Sequence, residues 1–256
     1  MIWIEKSGLK VGIFPALEVI APRLHIYFFS RNGGFSKPPF DSLNISTSTG
    51  DTTGPVRRNR DLIMEWIGME KRSLAECEQI HGSGIRTVSR GGSYRGTDGF
   101  ITSSENTGLA ISTADCCPVF IYSPPEDVLA ALHVGRKGAA AGIIPTAMER
   151  LRTEFRISPP LSVAVTGPAI CRRCYRINGR IASEFSSEVV SEREGEFFLD
   201  LPGAVRHQLT KEGIPQGNIF SSPVCTSCDR ESCFSHRRDR GRTGRHWSVA
   251  FMRERH

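Results

Sequence analysis

The sequence contains no apolar run long enough to cross a membrane. Its longest apolar stretches, residues 11–20 and 128–133, are much shorter than the roughly 20 residues that a membrane helix requires. Near the N-terminus, Glu5, Lys6 and Lys10 fall where a secretory signal would need an uninterrupted apolar segment. We therefore expect no membrane span and no export, and the cytoplasm is the expected location.

The sequence also lacks internal repeats, low-complexity tracts and any linker that would mark a domain boundary. With 39% hydrophobic and 8% aromatic residues, the chain can bury an ordinary globular core. We therefore expect one domain that spans residues 1–256. Eight cysteines without an export signal favour reduced thiols, metal ligation or catalysis over a disulfide framework. The net charge of +6 favours anionic partners without choosing among phosphates, nucleotides and nucleic acid.

Short segments rich in β-branched and aromatic residues indicate strands. The predicted strands cover residues 24–30, 85–88, 99–102, 109–113, 119–123, 128–133, 161–167 and 247–252. Helical spacing of apolar residues, with Pro55 suited to the first turn and Gly68 to the stop, predicts a helix over residues 53–68. Further helices are predicted over residues 142–155, 181–190 and 202–212. Because strands occur both in runs and separated by helices, we predict an α+β fold with mixed β-sheets flanked by helices.

Three potential metal ligands lie at predicted strand ends or in tight turns. His81 stands in EQIHGSG, Cys116 in TADCCPVF, and His133 at the end of the strand VLAALH. Two imidazoles and one thiolate suit Zn²⁺, and three protein ligands leave a fourth position open, as in catalytic zinc sites. The spacing alone is weak support, because it matches no local ligand motif. Taken singly, each histidine also suits a surface role, and Cys116 suits an inert core thiol.

Arg60 falls on the apolar face of the predicted helix, four residues after Val56 and three before Ile63. An unpaired guanidinium in that position would be costly, so we expect it to have a carboxylate or phosphate partner. The neighbouring Arg57 and Arg58 are expected to point to water.

From about residue 30 to residue 247, the chain resembles the family of multicopper polyphenol oxidase or laccase-domain proteins. The resemblance rests on blocks in the family's order: GGFSKPPFDSLNIS, QIHG, DGFIT, TADCCPV, ALHVG, GPAI and FSHRRDRGRTGR. It implies a zinc-dependent purine nucleoside phosphorylase with adenosine deaminase and methylthioadenosine phosphorylase activities in one site. The implied partners are purine nucleosides and phosphate. A copper-dependent polyphenol oxidase, the older family label, is an alternative.

The resemblance implies that His81, Cys116 and His133 are the metal ligands, with zinc as the metal and copper as the alternative. It also places Asn44 and Arg60 in the substrate pocket. Phosphate then becomes a candidate partner for Arg60, since a guanidinium can bind it through two parallel hydrogen bonds.

One block departs from the family pattern, which usually reads HAGWRG where this chain has HVGRKG. Arg136 replaces the tryptophan and Lys137 replaces the arginine. Lys137 keeps the positive charge but loses the planar fork that grips phosphate. We expect this departure to affect substrate preference more than the metal site.

Asp115 is a candidate catalytic residue. For deamination, Asp115 or another nearby carboxylate would move a proton while the metal activates water. For phosphorolysis, phosphate held by Arg60 and Lys137 would attack the ribose C1′. Asp115 suits a structural role equally well, because aspartate is favoured in turns.

Two further functions remain open from the sequence. In a metal-free cysteine hydrolase, Cys116 would be the nucleophile and His133 or His81 the base, with the same sequence signature. The segment HRRDRGRTGR carries enough arginines to bind nucleic acid. Asp239 and glycines interrupt that segment and no aromatic residue interleaves it, so we do not expect a nucleic-acid function.

The chain also carries two CxxC pairs: Cys171 with Cys174, and Cys225 with Cys228. Together they could bind a second zinc ion. The separation between the pairs exceeds common zinc-ribbon spacing, so reduced thiols are the favoured interpretation. The sequence indicates neither a nucleotide cofactor nor an oligomeric state.

Overall fold

The computed structural model describes residues 1–105 and 107–253. In chain order the strands are β1 (Ile2–Lys6), β2 (Leu9–Ile13), β3 (Leu24–Phe29), β4 (Leu74–Glu78), β5 (Ile85–Thr87), β6 (Gly92–Arg95), β7 (Gly99–Thr102), β8 (Gly108–Thr113), β9 (Cys117–Ser123), β10 (Val128–Val134), β11 (Val163–Thr166), β12 (Arg176–Ile177), β13 (Val190–Arg193), β14 (Glu196–Leu199), β15 (Ile219–Ser221) and β16 (His246–Met252). The α-helices are α1 (Leu17–Ile20), α2 (Thr53–Ile67), α3 (Arg136–Ala140), α4 (Ile143–Phe155), α5 (Gly179–Ala182) and α6 (Leu201–Lys211).

The strands form two large mixed sheets and one small sheet. The first sheet has the order β1-β2-β3-β16-β8-β4-β6, and only β4 runs parallel to its neighbours β8 and β6. The second has the order β15-β11-β9-β10-β7-β5, with parallel pairs at its two edges. The small antiparallel sheet has the order β12-β14-β13.

The two large sheets pack face to face, and helices cover their outer faces. Phe28 of the first sheet and Phe120 of the second lie in the apolar layer between the sheets. Helix α2 covers the outer face of the first sheet, where Ile63 packs in one cluster with Val249. Helices α4 and α6 cover the outer face of the second. The predicted α+β fold with mixed sheets flanked by helices is confirmed, whereas the single-domain organisation stays a prediction.

Helix α2 forms where the apolar spacing predicted a helix. It ends at Gly68, whose φ of +68° and whose N–H bonds to the carbonyls of Glu65 and Met64 close the last turn. At 15 residues α2 is longer than α4 and α6, and it carries several charged side chains. No helix in residues 1–105 and 107–253 is long and apolar enough to cross a membrane.

The helix predicted over residues 181–190 is wrong. Helix α5 ends at Ala182, turns follow, and β13 begins at Val190. Serines in this stretch bond the local backbone instead of continuing a helix: Ser183 Oγ donates to the Arg180 carbonyl, and Ser186 Oγ accepts from the Glu188 N–H. The sequence pattern also did not predict β1, β2, β4, β6, β15 and the small sheet, most of which are short and partly exposed.

Candidate metal centre

Cys116 and His133 lie at one end of the second sheet. Strand register pairs His133 of β10 with Pro118 of β9. Because side chains alternate between the faces of a strand, His133 shares a face with Leu129 and Cys116 shares one with Phe120. Both faces pack toward the first sheet. The pleat of β10 therefore aims the imidazole into the gap between the sheets, and the bend before β9 places the Cys116 thiol beside it.

His81 joins them from the loop after β4, where it adopts the left-handed conformation with φ of +62°. This conformation is strained for a residue with a side chain and persists only where its surroundings fix it. The fixing group is Asp98, a fully buried residue whose carboxylate accepts the N–H groups of Ile80, His81 and Gly82 at 3.2, 2.8 and 2.7 Å.

Asp98 also orients the second histidine. His133 Nδ1 donates to Asp98 Oδ1 at 2.8 Å, and the His133 N–H donates to the Asp98 carbonyl at 2.7 Å. With its proton on Nδ1, the imidazole presents the unprotonated Nε2 as a ligand atom, as in the carboxylate–histidine–metal arrangements of zinc proteins. One buried carboxylate thus holds two of the three predicted ligands.

The ligand atoms of His81, Cys116 and His133 lie within 4.8 Å of one another. Tetrahedral zinc with bonds of about 2.0–2.3 Å requires ligand separations of roughly 3.3–3.8 Å, so small side-chain adjustments suffice. His81 is exposed and His133 is buried, so the trio has one side toward solvent. The donor set and its one-sided exposure fit a metal with an open coordination position.

The charges of the trio reinforce one another. Burial opposes ionisation of Cys116, but the charge and hydrogen bonds of His133, with a contribution from His81, lower the pKa of the thiol to about 6. Burial likewise disfavours a charge on His133, but the Cys116 thiolate and Asp98 raise its pKa to about 9. Without metal, the pair is therefore a thiolate and an imidazolium near neutral pH. Metal binding requires the same thiolate and displaces the imidazolium proton.

Gly135 keeps the space beside the trio open. A Cβ at this position would lie 2.9 Å from Cys116 Sγ and 3.4 Å from His81 Cδ2. Because no side chain fits there, the turn from β10 into α3 can pass directly behind the thiol. The close approach of Cys116 Sγ therefore requires a glycine at position 135.

A cavity of about 950 Å³ opens over the trio. Its wall is rich in charge, with both signs represented. The basic lining residues are Arg60, Arg136, Lys137, Arg237 and Arg245, and the acidic ones are Glu76, Glu78 and Asp115. A cavity of this size and polarity suits a polar, anion-bearing small molecule rather than an apolar one.

Arg60 has the carboxylate partner that its position on α2 predicted. Its Nη1 lies 3.2 Å from Glu76 Oε2, its Nε donates to the Ile45 carbonyl at 2.6 Å, and its guanidinium lies over the Trp247 ring. Burial raises the pKa of Glu76, while the charge of Arg60 opposes that rise. Arg60 is therefore fixed in the cavity wall beside a carboxyl group that accepts a proton more readily than usual.

Arg245 lines the cavity, whereas the sequence indicated it only as one arginine of the segment HRRDRGRTGR. It donates to the carbonyls of Thr243 and Gly244, and no carboxylate in residues 1–105 and 107–253 forms an ion pair with it. Burial lowers its pKa, whereas the nearby Cys116 and Asp115 oppose the shift. This half-buried guanidinium therefore retains donors for an anion beside the candidate metal ligands.

Asp115 lines the cavity, but the protein itself occupies its carboxylate. Oδ1 accepts from Thr226 Oγ1 at 2.6 Å and from Ser235 Oγ at 2.7 Å, and Oδ2 accepts from the Arg237 N–H at 2.6 Å. Its φ of +98° is a left-handed conformation that these contacts fix. The geometry gives Asp115 a positioning role next to Cys116, and its catalytic role stays a prediction.

Asn44 does not reach the cavity lining. Its side chain is fully buried, donates to the Ser46 carbonyl, Thr49 Oγ1 and Asp51 Oδ2, and accepts the N–H groups of Ser46 and Arg245. By accepting the Arg245 N–H, Asn44 positions this arginine of the cavity wall. A contact of Asn44 with substrate stays a prediction.

The block HVGRKG, which differs from the family pattern, places its two basic residues on α3 in the cavity wall. Arg136 pairs with Glu184 at 3.2 Å, which directs its charge partly away from the trio. Lys137 is exposed and lines the cavity.

The arginine-rich segment HRRDRGRTGR is packed against the rest of the protein and is not a free arm. Arg238 donates to the carbonyls of Thr226 and Cys233, and Arg237 lies over the Tyr175 ring.

Comparisons with known proteins agree on one family. The family model described as multi-copper polyphenol oxidoreductase laccase matches residues 25–253. The chain is 35% identical over 243 residues to purine nucleoside phosphorylase YlmD of Geobacillus stearothermophilus, covering 88% of this chain and 89% of that protein. It is 36% identical over 230 residues to purine nucleoside phosphorylase SCO2081 of Streptomyces coelicolor, covering 86% and 92%.

Solved structures share the fold. The crystal structure of YlmD from Geobacillus stearothermophilus matches with a TM-score of 0.91 at 32% identity and covers 99% of both chains. The Bacillus licheniformis hypothetical protein YfiH matches with a TM-score of 0.91 at 30% identity, covering 98% of this chain and 99% of that one.

Proposed function

The chain belongs to the multi-copper polyphenol oxidoreductase laccase family, and on this premise we propose that it is a zinc-dependent purine nucleoside phosphorylase. The same site would carry adenosine deaminase and methylthioadenosine phosphorylase activity. The observation that carries the proposal is the convergence of His81, Cys116 and His133 at the floor of a cavity lined by cationic side chains. The phosphorylase names of the relatives supply the substrate class.

The three ligands would hold the metal, and Asp98 would fix the tautomer of His133. Zinc bound there would supply Lewis-acid chemistry at the open position. Copper would find the same imidazole and thiolate donors, so metal identity is part of the test.

For phosphorolysis, the cavity arginines bind and orient phosphate. Arg245 offers donors beside the trio, and Arg60 and Lys137 add positive charge. The bond between C1′ and the purine nitrogen breaks, a bond from a phosphate oxygen to C1′ forms, and the departing base takes up a proton from solvent. Glu76, with its raised pKa, can accept a proton as the phosphate approaches, which leaves the Arg60 guanidinium free to pair with the anion.

For deamination, we retain Asp115 as the candidate proton-transfer group because it lines the cavity next to Cys116. Its three hydrogen bonds support a positioning role instead. The variant Asp115→Asn separates the two: loss of proton transfer would lower kcat and change the pH profile in a folded protein. A positioning role would lower thermal stability and metal content together.

The test uses metal-quantified protein incubated with adenosine, inosine and methylthioadenosine, with and without phosphate, and chromatography that separates free base from deaminated product. Phosphate-dependent release of purine is the expected result. Protein stripped of metal should lose both activities, and full activity in its absence would overturn the zinc assignment. The variant Cys233→Ala is the control and should keep its metal and both activities, since Cys233 is a buried thiol outside the trio.

A metal-free cysteine hydrolase is the second candidate. The observation that favours it is the thiolate–imidazolium pair of Cys116 and His133, which also activates cysteine nucleophiles. Stoichiometric metal that protects Cys116 from iodoacetamide supports the phosphorylase. A metal-free protein with a hyper-reactive Cys116, inactive on all three nucleosides, supports the hydrolase.

A further inference from the structure

Four cysteines outside the metal centre form a second cluster. The sulfur atoms of Cys171, Cys174, Cys225 and Cys228 lie within 4.8 Å of one another. The long sequence separation between the two CxxC pairs favoured reduced thiols, but the fold brings the pairs together. We propose that this cluster is a second, closed zinc site, and that it fastens together two loops of the cavity wall.

The fold builds the cluster from two turns of the same kind. The Tyr175 N–H bonds to the Cys171 carbonyl at 3.1 Å, and the Asp229 N–H bonds to the Cys225 carbonyl at 2.9 Å. An isolated parallel bridge between Ala169 and Cys225 sets the turns side by side. Each CxxC turn therefore presents its two sulfurs toward those of the other.

The distances suit a tetrathiolate better than disulfides. Zinc–sulfur bonds of about 2.3 Å in a tetrahedron place the sulfurs about 3.8 Å apart. Cys174 Sγ and Cys228 Sγ are 3.4 Å apart, and all four cysteines are free thiols. A disulfide would bring its two sulfurs to about 2.05 Å and would join them only in pairs. The Cys171 N–H donates to Cys225 Sγ at 3.3 Å, a contact that stabilises a thiolate.

The surroundings carry compensating charge. Four thiolates around Zn²⁺ leave a net negative charge, and Arg172 and Arg173 line the groove next to the sulfurs. Arg172 Nη2 donates to the Glu188 carbonyl at 2.7 Å, whereas its buried Nε has no hydrogen-bond partner among the described residues. Four cysteines fill all coordination positions of zinc, so the site is structural rather than catalytic.

Each turn is one residue away from a contact with the catalytic cavity. The Ile170 N–H, next to Cys171, donates to the Asp115 carbonyl at 3.0 Å. Thr226 Oγ1, next to Cys225, donates to Asp115 Oδ1 at 2.6 Å. Joining the turns through a metal therefore fixes both loops around the residue that precedes Cys116.

The test is the zinc content per chain, measured by elemental mass spectrometry after growth with zinc and dialysis against a weak chelator. We expect two zinc ions in the wild-type protein and one in Cys116→Ser. The variant Cys174→Ser/Cys228→Ser should also hold one, which remains at the catalytic trio. Cys233→Ala, a buried thiol outside both clusters, should keep two.

A single change at the exposed Cys228 keeps the test independent of folding defects. Cys228→Ser should lower the zinc content of this site, and Cys228→His should restore it, because imidazole is also a zinc ligand. Cobalt bound to the Cys116→Ser variant should show the intense thiolate-to-metal absorption of a tetrathiolate. One zinc per wild-type chain that disappears in Cys116→Ser would overturn the proposal. Masses that show two disulfides in the cluster of the purified protein would overturn it as well.

Discussion

The carboxylate of Asp98 offers the sharpest test of how the candidate metal centre is held. Its Oδ1 accepts from the His81 N–H and from His133 Nδ1, and its Oδ2 accepts from the N–H groups of Ile80 and Gly82. Asp98→Asn keeps the shape but replaces one oxygen with an NH₂ donor. In either orientation of the amide, that donor faces two other donors.

The conflict has a calculable consequence. If the NH₂ group faces His133, the imidazole must accept at Nδ1 and carry its proton on Nε2, the atom that would bind metal. If it faces the loop, the partly buried N–H groups of Ile80 and Gly82 lose their acceptor, at less than the roughly 1–3 kcal/mol that a fully buried donor costs. Loss of such a carboxylate partner typically weakens metal binding 10–100-fold, which is about 1.4–2.7 kcal/mol.

The assay is a competition titration of metal-free protein with zinc and a chromophoric chelator, together with thermal unfolding with and without zinc. Asp51→Asn is the matched control, because Asp51 also accepts from a side-chain amide and a backbone N–H but does not line the cavity. A folded Asp98→Asn protein that binds zinc with wild-type affinity would refute the reasoning.

Three further outcomes follow from the same geometry. Gly135→Ala places a Cβ 2.9 Å from Cys116 Sγ, so zinc affinity should fall at least tenfold while circular dichroism stays native; an unchanged affinity contradicts the close approach. Arg245→Lys loses the planar fork, so the KM for phosphate should rise about tenfold, or about 1.4 kcal/mol, with unchanged zinc content; an equal loss of zinc would show a role in the metal site instead. Burial lowers the pKa of His246 to about 4. Between pH 6.5 and 4 the unfolded state therefore binds a proton that the folded state does not bind. The free energy of unfolding should fall by up to about 3 kcal/mol as pH drops through this range. Urea titrations should show that His246→Gln removes this part of the pH dependence, and an identical slope in the variant would contradict it.

Much of the fold follows from local patterns. The helix at residues 53–67 and the strands at 99–102 and 128–134 were predicted to within a residue or so, because their apolar periods are strong and their ends carry clear signals. The edge strand Ile2–Lys6 and the small sheet escaped prediction. Their side chains are partly exposed, so pairing with neighbours, rather than their own pattern, makes them strands.

The metal centre shows the same division. His81, Cys116 and His133 could be chosen from sequence, because imidazole and thiolate at strand ends are recognisable and the family blocks coincide with them. Asp98 could not, although it opens the block DGFIT. An aspartate before a strand usually belongs to a turn, and only packing showed that it is fully buried beneath both histidines.

By itself, the sequence determined the residue types that can bind a metal, the α+β class and the anion that Arg60 requires, since these depend on side-chain chemistry and local periodicity. Only the tertiary structure decided which residues meet. It gave Arg60 a glutamate from β4, brought Arg245 to the trio from a distant loop, and joined two CxxC turns that are some fifty residues apart. Sheet register and layer packing set these distances, and one segment read alone carries no record of the segment that folds against it.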